Sequence, residues 1–436
     1  MRIKSCLPFQ ILLNLTLLLS LCACSSDDSG DAQVRVLNVS TGYQSLDLYS
    51  NNDSSETDDD QMRLSSVGIN TVSEYAELTA ATYTLKFRRA GAASNLLSLA
   101  GQAFAEDTHG TLVAMGSAGH FQTYRIDDDQ AAAASGKAKL TVVNAADAGS
   151  LDVYLTEESI PLEDTSPLVG ALIAGSGSAA AIIDSSTYRL RITGAGDPTD
   201  LRLDVPSVAF TSTQVVSLVL TPTAGGVLVN VLQLPQQGAI TAYANTKARI
   251  RAAAGMANGS AATVSVGGTA LLNGATVGII GSGYAQVTAG TLPVSLSIDG
   301  ASASAIARTL VPGTDYTLLI WSDANGTQTT LVTDDNHLAA VIGNVKIRVL
   351  NGMSALGGPI TFAVDYAQIA DNIAVGQSSA YGDVLSGSDF QFDVTNSLTA
   401  AVLLTRSGVS LQSGGIYTMF LTGGGVSVGG TLRRDR

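Results

Sequence analysis

Residues 34–49 read V-R-V-L-N-V-S-T-G-Y-Q-S-L-D-L-Y, and this stretch returns along the chain. Its opening, Val34 to Asn38, recurs as Leu140-Thr-Val-Val-Asn144 and Ile347-Arg-Val-Leu-Asn351, with a fainter copy at Ile250-Arg-Ala-Ala-Ala254. Its close, Ser45 to Tyr49, recurs as Ser150-Leu-Asp-Val-Tyr154, and the matching segments are Ala262 to Val266 and Ile360 to Tyr366. A second block recurs at Tyr75 to Phe87, Ala179 to Ile192, Tyr284 to Ile298 and Ser379 to Val394. A third closes each unit: residues 111–129, 214–232, 316–335 and 417–435. The openings start at 34, 140, 250 and 347, so successive units lie 97 to 110 residues apart. Several blocks recurring in one order identify tandem repeats.

Within the blocks apolar and polar residues alternate. Tyr83, Leu85 and Phe87 fall on one face of their segment, and Thr84 and Lys86 on the other. That period of two predicts half-buried strands, and the abundance of Val, Ile, Thr and Tyr suits a pleated surface. Asn258-Gly259, Asn273-Gly274, Asn325-Gly326 and Asn351-Gly352 supply the hairpin signal of two residues that tolerate positive φ. The alanines at 131–134 read as linker. The expected fold is all-β: four tandem immunoglobulin-like antiparallel β-sandwich domains behind a lipoprotein signal peptide. The expected boundaries are 34–133, 137–236, 239–340 and 344–436. Placed end to end, strands of about 10 residues at 3.3 Å each would make a rod on the order of 130 Å.

The first 24 residues hold all three cysteines, Cys6, Cys22 and Cys24. Arg2 and Lys4 precede a leucine- and isoleucine-rich stretch from Leu7 to Leu21, interrupted by Gln10, Asn14 and Thr16. It is shorter than the roughly 20 uninterrupted apolar residues of a spanning helix, and reads as a signal peptide over 1–23. Leu21-Cys22-Ala23-Cys24 resembles a bacterial lipobox with Cys24 as the lipidated residue, followed by a flexible tether over 24–33. Ser25 after it resembles the sorting signal for the outer membrane of Gram-negative cells. Cleavage leaves 21 Lys+Arg against 37 Asp+Glu, a net charge of −16. That acidity disfavours nucleic acid as a partner. The membrane, through the lipid, and an unidentified protein or glycan ligand are the partners expected.

Catalytic parts are scarce. Beyond residue 24 there is no cysteine, and the chain has three histidines, His109, His120 and His337, and one tryptophan, Trp321. No histidine recurs in units 2 or 4, and no G-x-S-x-G elbow precedes a helix, so no catalytic residue is expected and the histidines read as exposed loop residues. Asp47 and Asp152 recur in the S-L-D strand, but one carboxylate per repeat is more simply an outward-facing strand residue than half of a glycosidase pair. Calcium candidates are Asp58, Asp59, Asp60, Asp127, Asp128, Asp129, Asp334 and Asp335. The spacing of a calcium loop is absent and unit 2 ends without an acid, so these runs read as solvated turns and no cofactor is expected. The glycines at 278–283 and 423–425 read as turns, and Tyr49, Tyr83, Tyr154 and Tyr188 as core; Trp321 is the aromatic left open for ligand stacking.

The V-R-V-x-N opening, the S-L-D-V-Y strand and the closing hairpin ending Thr-Asp-Asp resemble the bacterial domain-of-unknown-function family 4397. The resemblance implies exported or surface-attached tandem sandwiches and carries no catalytic residues. Unit 3 departs from it at Ala252 to Ala254. The expected function is non-enzymatic: an outer-membrane, lipid-anchored protein displaying sandwich modules for adhesion or ligand binding. The alternatives are a periplasm-facing assembly subunit that docks partners by β-strand addition, and an enzyme acting on envelope glycans.

Overall fold

The computed structural model describes residues 31–52, 60–255, 260–276, 278–281, 283–303, 306–354, 356, 358–424 and 427–436. The leader, Cys24, the tether to residue 30, Asp58, Asp59 and Asn258-Gly259 lie outside the described residues. Among the described residues every regular element is a strand, and no helix is long and apolar enough to cross a membrane.

Four pairs of sheets follow in chain order. In unit 1 the first strand, Asp31–Asn38, lies between Ala76–Thr79 and His109–Met115, with Gln122–Asp127 beyond the latter. The facing sheet is ordered Gln61–Gly68, Ser45–Asn51, Ala81–Arg89, Asn95–Phe104. Units 2, 3 and 4 repeat this plan with first strands Lys137–Asn144, Lys247–Ala254 and Asn344–Asn351. The sheets are not wholly antiparallel as expected, because each first strand pairs in parallel with the strand that opens the third block. The chain crosses the sandwich between those two strands, which leaves them pointing the same way. Each unit encloses its own apolar core. Tyr83, Leu85 and Phe87 are buried with Thr84 and Lys86 on the outer face, as their alternation predicts.

Two expected junctions move. Asp31 to Gln33 belong to the first strand rather than the tether, and Thr241–Tyr243 pairs with Val229–Pro235 and extends the sheet of unit 2 past residue 236. Of the Asn-Gly pairs, Asn325-Gly326 closes a hairpin in which Asp323 faces Gly326. Asn273-Gly274 lies inside strand Thr269–Thr276, and Asn351 ends a strand with its side chain buried.

The units do not run end to end. Segments such as Leu218-Val219-Leu220 and Leu318-Leu319-Ile320 place apolar side chains on both faces of the first sheet, so that sheet needs cover on both sides. Leu37, Val39, Val113 and Met115 of unit 1 accordingly pack against Val143, Ala145, Val219, Leu232 and Leu234 of unit 2. Ala253, Ile280 and Leu319 of unit 3 pack against Leu350 and Phe420 of unit 4. The backbones of that second pair approach closely, because a Cβ on Gly255 would stand 2.2 Å from the Gly352 carbonyl oxygen. The two pairs also meet. Arg436 of unit 4 donates to the Asp147 carboxylate of unit 2 at 3.1 Å, and His120 Nε2 reaches the Ala339 carbonyl at 2.7 Å. Burial of the first sheets on both faces replaces the expected rod with back-to-back pairs.

Candidate functional site

Parallel pairing sets Arg35 beside Thr111, Arg251 beside Thr317 and Arg348 beside Thr418. These arginines point away from their own cores, toward the neighbouring unit, and are almost fully buried. Their Nε atoms donate to the adjacent threonine hydroxyls at 2.7, 2.9 and 3.2 Å. Each threonine hydroxyl donates in turn to a carboxylate at the end of its unit: Asp128 at 2.5 Å, Asp334 at 2.7 Å and Asp435 at 2.5 Å. A tyrosine within the first three residues of the second block covers each arginine: Tyr75, Tyr284 and Tyr381, each 4.7 Å from guanidinium carbon to ring centroid. Tyr75 and Tyr284 also donate to Asp128 and Asp334, both at 2.7 Å.

Units 3 and 4 exchange partners. Arg251 donates to Asp435 at 2.5 Å, and Arg348 donates to Asp334. Two reciprocal, desolvated ion pairs therefore cross the interface. Burial works against the ionised form of Asp334, but Arg348 and Arg251 outweigh it and hold the carboxyl below its ordinary range. Burial and the nearby Asp334 push the Tyr284 hydroxyl up, so it remains a donor at neutral pH.

Unit 2 lacks the whole cluster. Register places Thr141 where the other units have arginine and Ser217 where they have threonine. Ala180 and Gln236 stand at the tyrosine and aspartate positions, one residue outside the pairs Leu140–Ala181 and Val216–Pro235. All four line a cavity of 310 Å³ between units 1 and 2, whose opposite wall includes Tyr124, Arg125, Asp127, Asp128 and Gln130. On the unit 1 side, Arg35 donates to the Gly238 carbonyl at 2.7 Å, having no aspartate across the interface to reach. A second hollow of 540 Å³ lies between units 2 and 3, but the charged Asp204 on its wall is already held by Arg189 at 2.8 and 2.6 Å.

The residues singled out from sequence fall elsewhere or take other parts. Asp47 and Asp152 lie on the outer face of their strands, between the core residues Leu46 and Leu48 and between Leu151 and Val153, but they are buried rather than solvated. Asp47 accepts the backbone N–H groups of Ser66 and Gly91 at 2.7 and 2.9 Å, and Asp152 those of Ala171 and Gly196 at 2.6 and 2.8 Å. All four donors have positive φ, so each carboxylate ties two irregular chain segments to the second strand. Asp47→Ala strands two donors and should cost about 2–6 kcal/mol, at 1–3 for each group left unsatisfied. Denaturant titration checks this, with Asp47→Asn recovering part of the loss through its remaining acceptor.

The histidines are half-buried rather than free in loops. His109 opens a strand and contacts Asp129 at 2.9 Å, and His337 contacts Asp335 at 2.7 Å. The aspartate runs are not solvated turns throughout. Asp60 is held by Lys86 and Arg88, Asp128 and Asp334 lie inside the clusters, and Asp335 binds Lys346 at 2.5 Å. Asp127 accepts from the N–H of Asp129 and the Gln130 amide, and Asp129 from the His109 N–H and the Gln237 amide. Among the described residues no group of three or more His, Cys, Asp or Glu side chains is placed to hold a metal ion. Trp321 is packed in the interface of units 3 and 4, its Nε1 donating to Thr330 at 3.0 Å, and Gly376 lies against its ring. Sequence reasoning missed the clusters, although one signal was present. Arginine, tyrosine and terminal aspartate are lost together from unit 2 and kept together in units 1, 3 and 4.

These features define a multi-sandwich protein whose repeats pair back to back, units 3 and 4 through buried reciprocal ion pairs. The chain belongs to the family described as Domain of unknown function (DUF4397), whose model matches residues 32–154 and 248–358. Each match runs from one unit into the unit packed against it, and the second includes the Ala252 to Ala254 departure. No curated protein matches the chain. Among solved structures it is similar to a carbohydrate-binding module of family 26 from Eubacterium rectale Amy13K, solved with maltoheptaose. That likeness has 9% identity and a TM-score of 0.16, covering 48% of this chain and 96% of the module.

Proposed function

We propose that this chain is a non-catalytic binding protein of the cell envelope, anchored through Cys24 in the outer membrane of a Gram-negative cell. The cleft between units 1 and 2 is its ligand site. The observation that carries the reading is the coincidence of a cavity of 310 Å³, with mixed polar and apolar walls, with the one repeat that lacks the interface cluster. Pockets that bind small ligands combine apolar walls with a few converging polar groups, and here Ile126, Val216 and Leu234 stand beside Ser217, Thr141 and Asp128. The leader and lipobox support the location. Acyl chains on Cys24 would contribute about 0.8 kcal/mol per buried methylene, and more than one chain gives a stable anchor.

Protease shaving of intact cells tests the location. Wild-type chain should be cleaved from outside, and Cys24→Ala should leave the membrane fraction. Protection until the outer membrane is broken would move the protein to the periplasm and favour an assembly role. Membrane retention of Cys24→Ala would remove the lipid anchor from the reading.

A further inference from the structure

The second interface of this chain is a template for what the cavity in the first one lacks. In units 3 and 4 the cross-unit guanidinium of Arg348 lies over the Tyr381 ring and donates to Asp334 Oδ1, while Asp334 Oδ2 accepts from Thr317 and Tyr284. Asp128 is the counterpart of Asp334 in unit 1, with Oδ2 held by Thr111 and Tyr75 in the same way. Its Oδ1 accepts no hydrogen bond among the described residues, although the residue is only 1% exposed. The groups that would supply the missing donor and ring are Thr141 and Ala180, and both line the cavity beside Asp128.

We infer that the cavity binds a planar organic cation, a guanidinium or amidinium carried on an aromatic or aliphatic arm. This rests on the cleft being a ligand site. The cation takes the place Arg348 occupies in the other pair and donates to Asp128 Oδ1; the arm fills the space left by the smaller Thr141 and Ala180. A flat cation with paired N–H donors matches a carboxylate better than a round ammonium does. The local charge favours it. Asp127 also lines the wall, and the one cationic side chain there, Arg125, is drawn aside to the Ala103 carbonyl at 2.9 Å and over the Phe104 ring at 4.5 Å. The Arg35 guanidinium is 3.6 Å from Asp128 Oδ2, as Arg251 is 4.0 Å from Asp334, so one neighbouring cation is already compatible with a second.

Titration of the full chain with benzamidine, against neutral benzamide, tests the inference by calorimetry and by amide shifts at Thr141, Ala180 and Ser217. Benzamidine should bind at least tenfold more tightly than benzamide. Asp128→Asn should reduce that binding at least tenfold. Thr141→Arg combined with Ala180→Tyr, which rebuilds the missing guanidinium and ring, should abolish it without disturbing Asp128. Equal binding of benzamide, or binding unaffected by Asp128→Asn in a folded chain, overturns the cation while leaving the cleft a ligand site. Binding that survives the filled variant overturns both the cation and the cleft. An absence of benzamidine binding to the wild type also overturns the inference. Comparing agmatine with a peptide containing one arginine then separates a free small cation from an arginine side chain as the source.

Discussion

Asp334→Ala lowers the stability of the paired units 3 and 4 by about 3–5 kcal/mol, the range for removing one partner of a buried ion pair. The effect is large because Asp334 is fully buried and serves several groups at once. Arg348 loses its cross-unit acceptor, and Thr317 and Tyr284 lose theirs. The double variant Asp334→Ala with Arg348→Met should recover part of the loss, since it no longer strands a guanidinium. A single-variant cost under about 1 kcal/mol, the level of a surface pair, would mean that water reaches the cluster. The pH dependence has a definite sign. Asp334 titrates lower in the folded chain than its ordinary value of about 3.9, so its contribution is complete above that value and is lost as pH falls through the lower folded pKa. Melting temperature should therefore be level from neutrality to about pH 5 and drop below pH 4. The acid-dependent part should shrink in the Asp334→Ala chain.

Phe420→Ala costs about 3–5 kcal/mol, as for other fully buried phenylalanines cut to alanine. Phe420 lies in the unit 4 strand Ile416–Gly424, but its ring is buried outside the unit 4 core, among Ala253, Ile280 and Leu319 of unit 3 and Leu350 of its own unit. Its neighbours Met419 and Leu421 belong to the unit 4 core. The substitution therefore empties the interface and leaves the sandwich intact. Calorimetry should show the melting of units 3 and 4 separating into two events, and hydrogen exchange should rise in Lys247–Ala254 and Asp315–Asp323 of unit 3. A shift of under 1 kcal/mol with a single unchanged transition would mean that the face-to-face packing adds nothing.

Both effects arise at surfaces that the repeats could not announce individually. Val142-Val143 and Leu218 to Leu220 look the same whether their second face meets solvent, a ligand or another unit. Alternation across one strand reports only that a face is apolar. For the same reason the burial of Asp47 and Asp152 on the outer face is not legible, since nothing local records that two backbone N–H groups from other segments converge on each carboxylate. The Asp127 to Asp129 and Asp334-Asp335 runs read as solvated turns because the cations beside Asp128, Asp334 and Asp335 are far along the chain or in another unit.

What the sequence determined by itself is local or repetitive. The repeat order established four units, the period of two established strands, and Asn325-Gly326 established one hairpin, because each depends on residues a few positions apart or on comparison between copies. The tertiary structure alone decided which faces meet, that Arg251 and Arg348 exchange carboxylates between units, and that unit 2 opens a cavity where it lacks those groups. Those outcomes depend on the desolvation of charges and apolar faces brought together from distant positions, 184 residues apart for Arg251 and Asp435, and chain order does not encode that proximity.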